Sequence, residues 1–326
     1  MSLPILKLFA MCGFYLLANL FVFAIPAVAF AAWHGAIAAQ FAVLLLALDL
    51  CLPLRPGPRG MWLWWCKLTS MAEGLVEYMR AECIIEGDFR KETNYLLIYA
   101  PHGLFGVGLN LWAKSLYETY GMVGMFTVAD VVLSLPLLRR LMVWWGANRV
   151  SAAEIRRSLA TPYPHNILML QPDGVAGMFY GTTHEQILLK KRLGFCKVAL
   201  QTGAHLVPCY AFGANQMYTR YFNQHSLAAR LSSALRTSLV FWTGRWGVPF
   251  GVIPNPVKLV VAVGAPLAVT KVAAPTNEQV EALHATFVSA MRDLFERHKH
   301  RMGEEWVAQR GTLFLEDESP HRAKRE

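Results

Sequence analysis

Charged residues are scarce in this chain, 16% of 326 residues, against roughly 25% in an average soluble domain. Residues 8–48 contain no Asp, Glu, Lys or Arg. The six cysteines include no CxxC pair and no cluster. That excludes a zinc ribbon or a dithiol redox motif, and it points to buried free thiols in a reducing compartment, with no metal site. No Gly-x-Ser-x-Gly elbow occurs, which disfavours a serine hydrolase of the α/β type. No zinc-finger spacing or basic low-complexity tail accompanies the net charge of +9, so no nucleic-acid partner is expected. An excess of cations also suits anionic headgroups or a phosphorylated cofactor. No internal repeat is evident.

What is present begins with the charge-free run "LFAMCGFYLLANLFVFAIPAVAFAAWHGAIAAQFAVLLLAL". About 20 apolar residues make one helical span, so this length suits two, with Pro26 and Trp33-His34-Gly35 breaking the middle. The expectation is an N-terminal transmembrane helical hairpin over residues 1–55, not a cleaved signal peptide, whose apolar core runs about 7–15 residues. Lys7 on one flank and Arg55, Arg59 and Lys67 on the other predict both termini in the cytosol. Trp62, Trp64 and Trp65 beside Lys67 fit an interfacial belt, and the bilayer is an expected partner.

From about residue 69 short apolar runs alternate with helix-like stretches. The runs are "NYLLIYA" (94–100), "MVGMFTV" (122–128), "NILMLQ" (166–171), "HLVPCYAF" (205–212) and "VKLVVAVG" (257–264). They predict an α/β domain over 56–310 with a mostly parallel sheet flanked by helices. Residues 275–300 predict the clearest helix: Thr276 and Gln279 form a capping box, and Val280, Leu283, Phe287, Met291 and Leu294 make one buried stripe. Residues 311–326 are expected to form a flexible C-terminal tail.

The first of these runs ends in Pro101-His102-Gly103. A strand running into that triplet presents the imidazole at the carboxyl end of a sheet, where α/β proteins place their sites. Histidine takes a proton near neutrality. From the local spacing, a general base and a buried structural histidine stand equally open.

The sequence around this triplet resembles the diacylglycerol acyltransferase 2 family, which also holds monoacylglycerol and wax-alcohol acyltransferases. The family carries a Pro-His-Gly block, here Tyr99-Ala100-Pro101-His102-Gly103. Its longest signature is matched by "RLGFCKVALQTGAHLVPCYAFG" through Arg192, Gly194, Phe195, Lys197, Ala199, Gly203, Ala204, Leu206, Val207, Pro208, Phe212 and Gly213. A third block is matched by Gly264, Pro266 and Leu267 in "VVAVGAPLAV". There are departures. Ala100 stands where many members have a first histidine. Val107 stands where a His-x-x-x-x-Asp pair would put its acid. Gly177 falls where Gly-Gly-x-x-Glu places the glutamate, and Asp173 replaces the first glycine.

The resemblance implies a membrane-anchored glycerolipid-acyltransferase-like fold and an acyltransferase domain over 56–310. It implies acyl-CoA-dependent esterification of diacylglycerol to triacylglycerol, with His102 as general base. Asp173 and Glu185 are the candidates to orient the ring, while N–H groups near Gly103 or Gly174 could hold the oxyanion. A turn aspartate is an equal reading of Asp173. Arg192, Lys197 and Lys191, with the Gly174 turn, would contact the phosphates of coenzyme A, Arg192 and Lys197 first because they belong to the block. Acyl-CoA is a co-substrate and no tightly bound cofactor is expected. The acceptor alternatives are monoacylglycerol and a long-chain alcohol. A non-catalytic membrane or lipid-droplet scaffold is the reading outside enzymology, and a homo-oligomer stays open. The family implies residence in the endoplasmic reticulum membrane and at lipid droplets.

Overall fold

The computed structural model describes residues 24–68, 72–235, 237–251 and 253–318. Its centre is a seven-stranded sheet in the order β1-β10-β7-β2-β5-β3-β4. The strands are β1 (Glu82–Ile85), β2 (Tyr95–Ala100), β3 (Gly124–Val128), β4 (Ala147–Arg149), β5 (Ile167–Leu170), β7 (His205–Phe212) and β10 (Val260–Val263). Strands β7, β2, β5, β3 and β4 run in one direction. Strand β10 runs against β7, and β1 follows β10. Between β5 and β10 the chain adds β6 (Glu185–Ile187), the short β8 (Thr219–Arg220) and β9 (Trp242–Thr243), and β11 (Leu313–Leu315) later pairs with β6.

The apolar runs form strands because both faces of the sheet are covered. Tyr95, Leu97 and Tyr99 of β2 enter one core, with Trp112 and Leu116. Leu96, Ile98 and Ala100 enter the other, with Phe287, Met291 and Leu294. Alternate residues of a strand point to opposite faces, so double burial requires every position to be apolar. The second core is roofed by the long helix Asn277–His298, whose Thr276–Gln279 capping box is present as expected.

The N-terminal segment corrects the transmembrane expectation. Residues 8–23, the first arm of the expected hairpin, lie outside the described residues. The chain is helical over 24–33 and turns at His34-Gly35, with Gly35 at φ +85°. It then forms a helix Ile37–Cys51 of 15 residues. At 1.5 Å per residue that helix is about 22 Å long, short of a hydrocarbon core of about 30 Å. Among the described residues no helix is long and apolar enough to cross a membrane. The transmembrane anchor, and the endoplasmic reticulum placement with both termini cytosolic, therefore do not stand, and no bilayer-embedded partner is supported.

The physical reason lies at Asp49, which the count of apolar residues ignores. Its carboxylate is buried and accepts from the Leu137 N–H at 3.0 Å and from Arg139 Nε at 3.1 Å. Arg140 also donates to it. Burial alone would raise this carboxyl, but the Leu137 N–H and the two guanidiniums outweigh it and hold it below the usual range. The helix thus ends in a polar junction with the main body. At the other terminus, Leu313–Leu315 of the expected tail is strand β11, and residues 319–326 lie outside the described residues.

Candidate active site

Three loops leave the carboxyl ends of β2, β5 and β7 and meet at one edge of the sheet. Register explains the meeting: Ile98 pairs with Leu170, and Ala100 with Tyr210. A few residues further on, each strand has entered a loop: Pro101-His102-Gly103, Gln171-Pro172-Asp173, and Gly213-Ala214-Asn215. His102 is half-buried, Gly103 and Asp173 are buried, and Gly174 is exposed.

Gly103 adopts φ +62°, where a Cβ is unfavourable, and a Cβ there would lie 3.1 Å from the Ala214 carbonyl oxygen. Glycine thus lets the His102 loop lie directly on the β7 loop. His102 Nδ1 sits 3.2 Å from the Gly103 carbonyl oxygen. A carbonyl only accepts, so the contact is a hydrogen bond in the tautomer that carries the proton on Nδ1 and the lone pair on Nε2.

The Asp173 carboxylate reaches the same loop from β5. The backbone N–H groups of His102 and of Asp173 itself act on this carboxylate, and both favour its charged form. Burial pushes its pKa up, while the His102 ring, these N–H groups and the Arg192 charge oppose the rise. One oxygen, Oδ1, is buried without a partner. Gly177 lies against this carboxylate so closely that a Cβ would collide with Oδ2. The glycine that departs from the glutamate-bearing pattern is therefore the one that makes room for Asp173.

Glu185 is not near the imidazole by any hydrogen bond given to it. Its Oε2 accepts from Tyr210 Oη at 2.7 Å and Asn215 Nδ2 at 3.0 Å, and its Oε1 from Arg310 Nη1 at 2.9 Å. Arg220 joins this hub, donating to the Asn215 side chain at 3.2 Å and to the Met178 carbonyl at 2.7 Å. Burial lowers the Arg220 pKa to about 10, with Glu185 raising and Arg310 lowering it further. A cavity of about 230 Å³ beside the hub is lined by Thr182, Asn215, Gln216, Thr219, Arg220 and Arg310. The sequence names only Glu185 of this cluster, as an acid to orient the His102 ring, and Gly181-Thr182-Thr183-His184-Glu185-Gln186 carries no mark of its distant partners.

Among the basic residues, Arg192 is half-buried, and its charge acts on Asp173. Lys191 and Lys197 are exposed, Lys197 in the helix Gly194–Thr202. The Gly174 N–H lies 3.3 Å from the Gln171 carbonyl oxygen and closes a turn. Among the described residues no group of acids, histidines and cysteines could hold a metal ion.

A family model described as diacylglycerol acyltransferase matches residues 33–309. The chain belongs to this acyltransferase family. Curated relatives fall across its acceptor types. Diacylglycerol O-acyltransferase 2 of Dictyostelium discoideum is 28% identical over 236 residues, 69% of this chain and 72% of its own length. Acyl-CoA wax alcohol acyltransferase 1 of Homo sapiens is 29% identical over 272 residues, 79% of this chain and 81% of its own. The 2-acylglycerol O-acyltransferase 1 of Bos taurus is 26% identical over 252 residues, 73% and 75% of the two chains. As a member, this acyltransferase falls under the family's general chemistry, acyl-CoA-dependent transfer to oxygen.

Proposed function

We propose that this acyltransferase moves an acyl group from acyl-CoA to the free hydroxyl of diacylglycerol, forming triacylglycerol, with His102 as general base. The observation that carries this reading is the His102 ring itself. Its Nδ1 lies 3.2 Å from the Gly103 carbonyl oxygen, and a hydrogen bond there places the proton on Nδ1 and leaves Nε2 as the proton acceptor at the carboxyl end of the sheet.

In this mechanism Nε2 takes the hydroxyl proton as the acceptor oxygen attacks the thioester carbonyl, a role worth roughly 10²–10⁴-fold. The C–O bond forms as the carbonyl electrons move onto oxygen. Backbone N–H groups around Gly103 stabilise that oxyanion, each such donor contributing about 3 kcal/mol. Collapse breaks the C–S bond, and the coenzyme A thiolate recovers the proton from the imidazolium. Asp173 serves as a positioning residue that, when ionised, supplies negative charge to the imidazolium. Arg192, with Lys191, Lys197 and the Gly174 turn, takes the phosphates of coenzyme A; arginine suits a fixed contact and lysine a looser one.

Monoacylglycerol or a long-chain alcohol as acceptor is the second reading, and it is favoured by the wax-alcohol and 2-acylglycerol enzymes among the relatives. The test is to incubate purified protein with one labelled acyl-CoA and diacylglycerol, monoacylglycerol or hexadecanol in turn. A rate highest with diacylglycerol supports the proposal. A higher rate with either of the others replaces it with that acceptor.

A further inference from the structure

The acidic run Glu316-Asp317-Glu318 is folded back over the basic block. The Glu316 carboxylate accepts three consecutive backbone N–H groups, from Leu189 and Lys190 at Oε2 and Lys191 at Oε1, each at 2.9 Å. Lys190 Nζ pairs with Asp317. Glu318 closes the strap by accepting from the Leu315 N–H at 2.8 Å and Arg292 at 2.7 Å.

Successive N–H groups converging on one point form a concavity suited to a small anion. Here its occupant is a carboxylate of the same chain. The next residue, Arg192, keeps its Nε buried without a partner. Burial raises the Tyr180 phenol, the Glu316 charge raises it further and Arg192 opposes both, so both charges act on one phenol. The Arg192 charge also acts on Asp173. A groove of about 410 Å³ opens beside the strap, lined by Lys190, His284, Arg292, Leu315 and Glu318.

We propose that the Leu189–Lys191 nest is a phosphate subsite for the coenzyme A donor, and that Glu316 occupies it as an internal competitor. The proposal rests on the acyl-CoA reading above. Rotation of the Glu316 side chain alone empties the nest, while β11 stays paired with β6. A tethered competitor acts at an effective concentration in the millimolar range, so the strap raises the donor concentration needed for turnover without altering the chemical step.

The test uses full-length wild type, Glu316→Gln, which keeps the shape and removes the charge, and Asp317→Asn, which loosens the strap through Lys190. Calorimetry measures binding of inorganic pyrophosphate, and steady-state assays measure KM for acyl-CoA and kcat. For Glu316→Gln the expected result is pyrophosphate binding tighter by about 3–10-fold, acyl-CoA KM lower by a similar factor and kcat unchanged. Asp317→Asn shifts the same way by less, and it carries the test should Glu316→Gln fail to fold. Unchanged or weaker pyrophosphate binding in the folded variants overturns the nest. Tighter pyrophosphate with unchanged KM overturns its assignment to the donor. A wild type that transfers no acyl group from acyl-CoA sinks the donor reading, and the calorimetry then reports on the nest separately.

Discussion

The imidazole Nδ1 of His102 lies 3.2 Å from the carbonyl oxygen of Gly103, while the buried carboxylate of Asp173 keeps Oδ1 without a partner. A main-chain oxygen thus stands where an Asp–His pair would place its acid, and Asp173 acts on the ring through its charge.

His102→Ala and His102→Gln should lower acyl transfer by about 10²–10⁴-fold. The side chain is half-buried at a loop, so the thermal midpoint should stay near that of wild type. Initial rates and a melting curve check both statements. A near-normal rate in the alanine variant removes the general base.

Asp173→Asn keeps the shape of the side chain and loses the charge. The imidazolium then lacks a neighbouring negative charge, and kcat should fall about tenfold or more, about 1.4 kcal/mol of barrier. The pH dependence of stability is distinctive. Burial raises the Asp173 pKa above its ordinary 3.8, so the folded state holds the proton more tightly than the unfolded one. The group's contribution is then full below about pH 4 and is lost as pH rises through the folded pKa. Melting of both proteins between about pH 4 and pH 7 should show the asparagine variant gaining on wild type as pH rises. The opposite slope would mean that the anion is the stabilised form.

Gly177→Ala puts a methyl group into the Asp173 carboxylate. Such overpacking should cost about 1–3 kcal/mol in urea unfolding, with a fall in kcat as Asp173 is displaced. Gly177→Glu, which writes the relatives' acid into this chain, should be less active still. Activity at or above wild type in the glutamate variant would show that the site can accept an acid at that place.

Glu185→Ala strands Arg310, Tyr210 and Asn215 in a region where Glu185 is fully buried. Removing one partner of a buried pair should cost about 3–5 kcal/mol by chemical denaturation. Pairing Glu185→Leu with Arg310→Met should recover part of that loss, because neither charge is left alone.

The sheet strands 94–100 and 205–212 were legible because burial on both faces demands unbroken apolar sequence, and the capping box of Thr276 was legible because it is local. The direction of β10 was not, since "VVAV" carries no polarity pattern to tell parallel from antiparallel. The hub at Glu185 escaped because Arg310 lies 125 residues away. The ring's partner escaped because a main-chain carbonyl leaves no mark in a side-chain motif. The charge-free run misled because counting apolar residues does not reveal where a helix turns, and His34-Gly35 and Asp49 set those points.

The reversed strand β10 governs when the carboxyl edge of the sheet can be completed. After it, Leu267 bridges to Leu206 at the start of β7, and by Met302 the chain lies against Gly213 beyond the end of β7. Trp306 then reaches Gln216 at 2.7 Å, and Arg310 reaches Glu185. A nascent polypeptide that has emerged only as far as Met302 already owns all seven strands of the main sheet, yet Glu185 has no guanidinium from Arg310 and the Leu189–Lys191 amides have no carboxylate. Assembly of the sheet and maturation of its carboxyl rim are thus separate events in biosynthesis, and the second waits for residues 303–318.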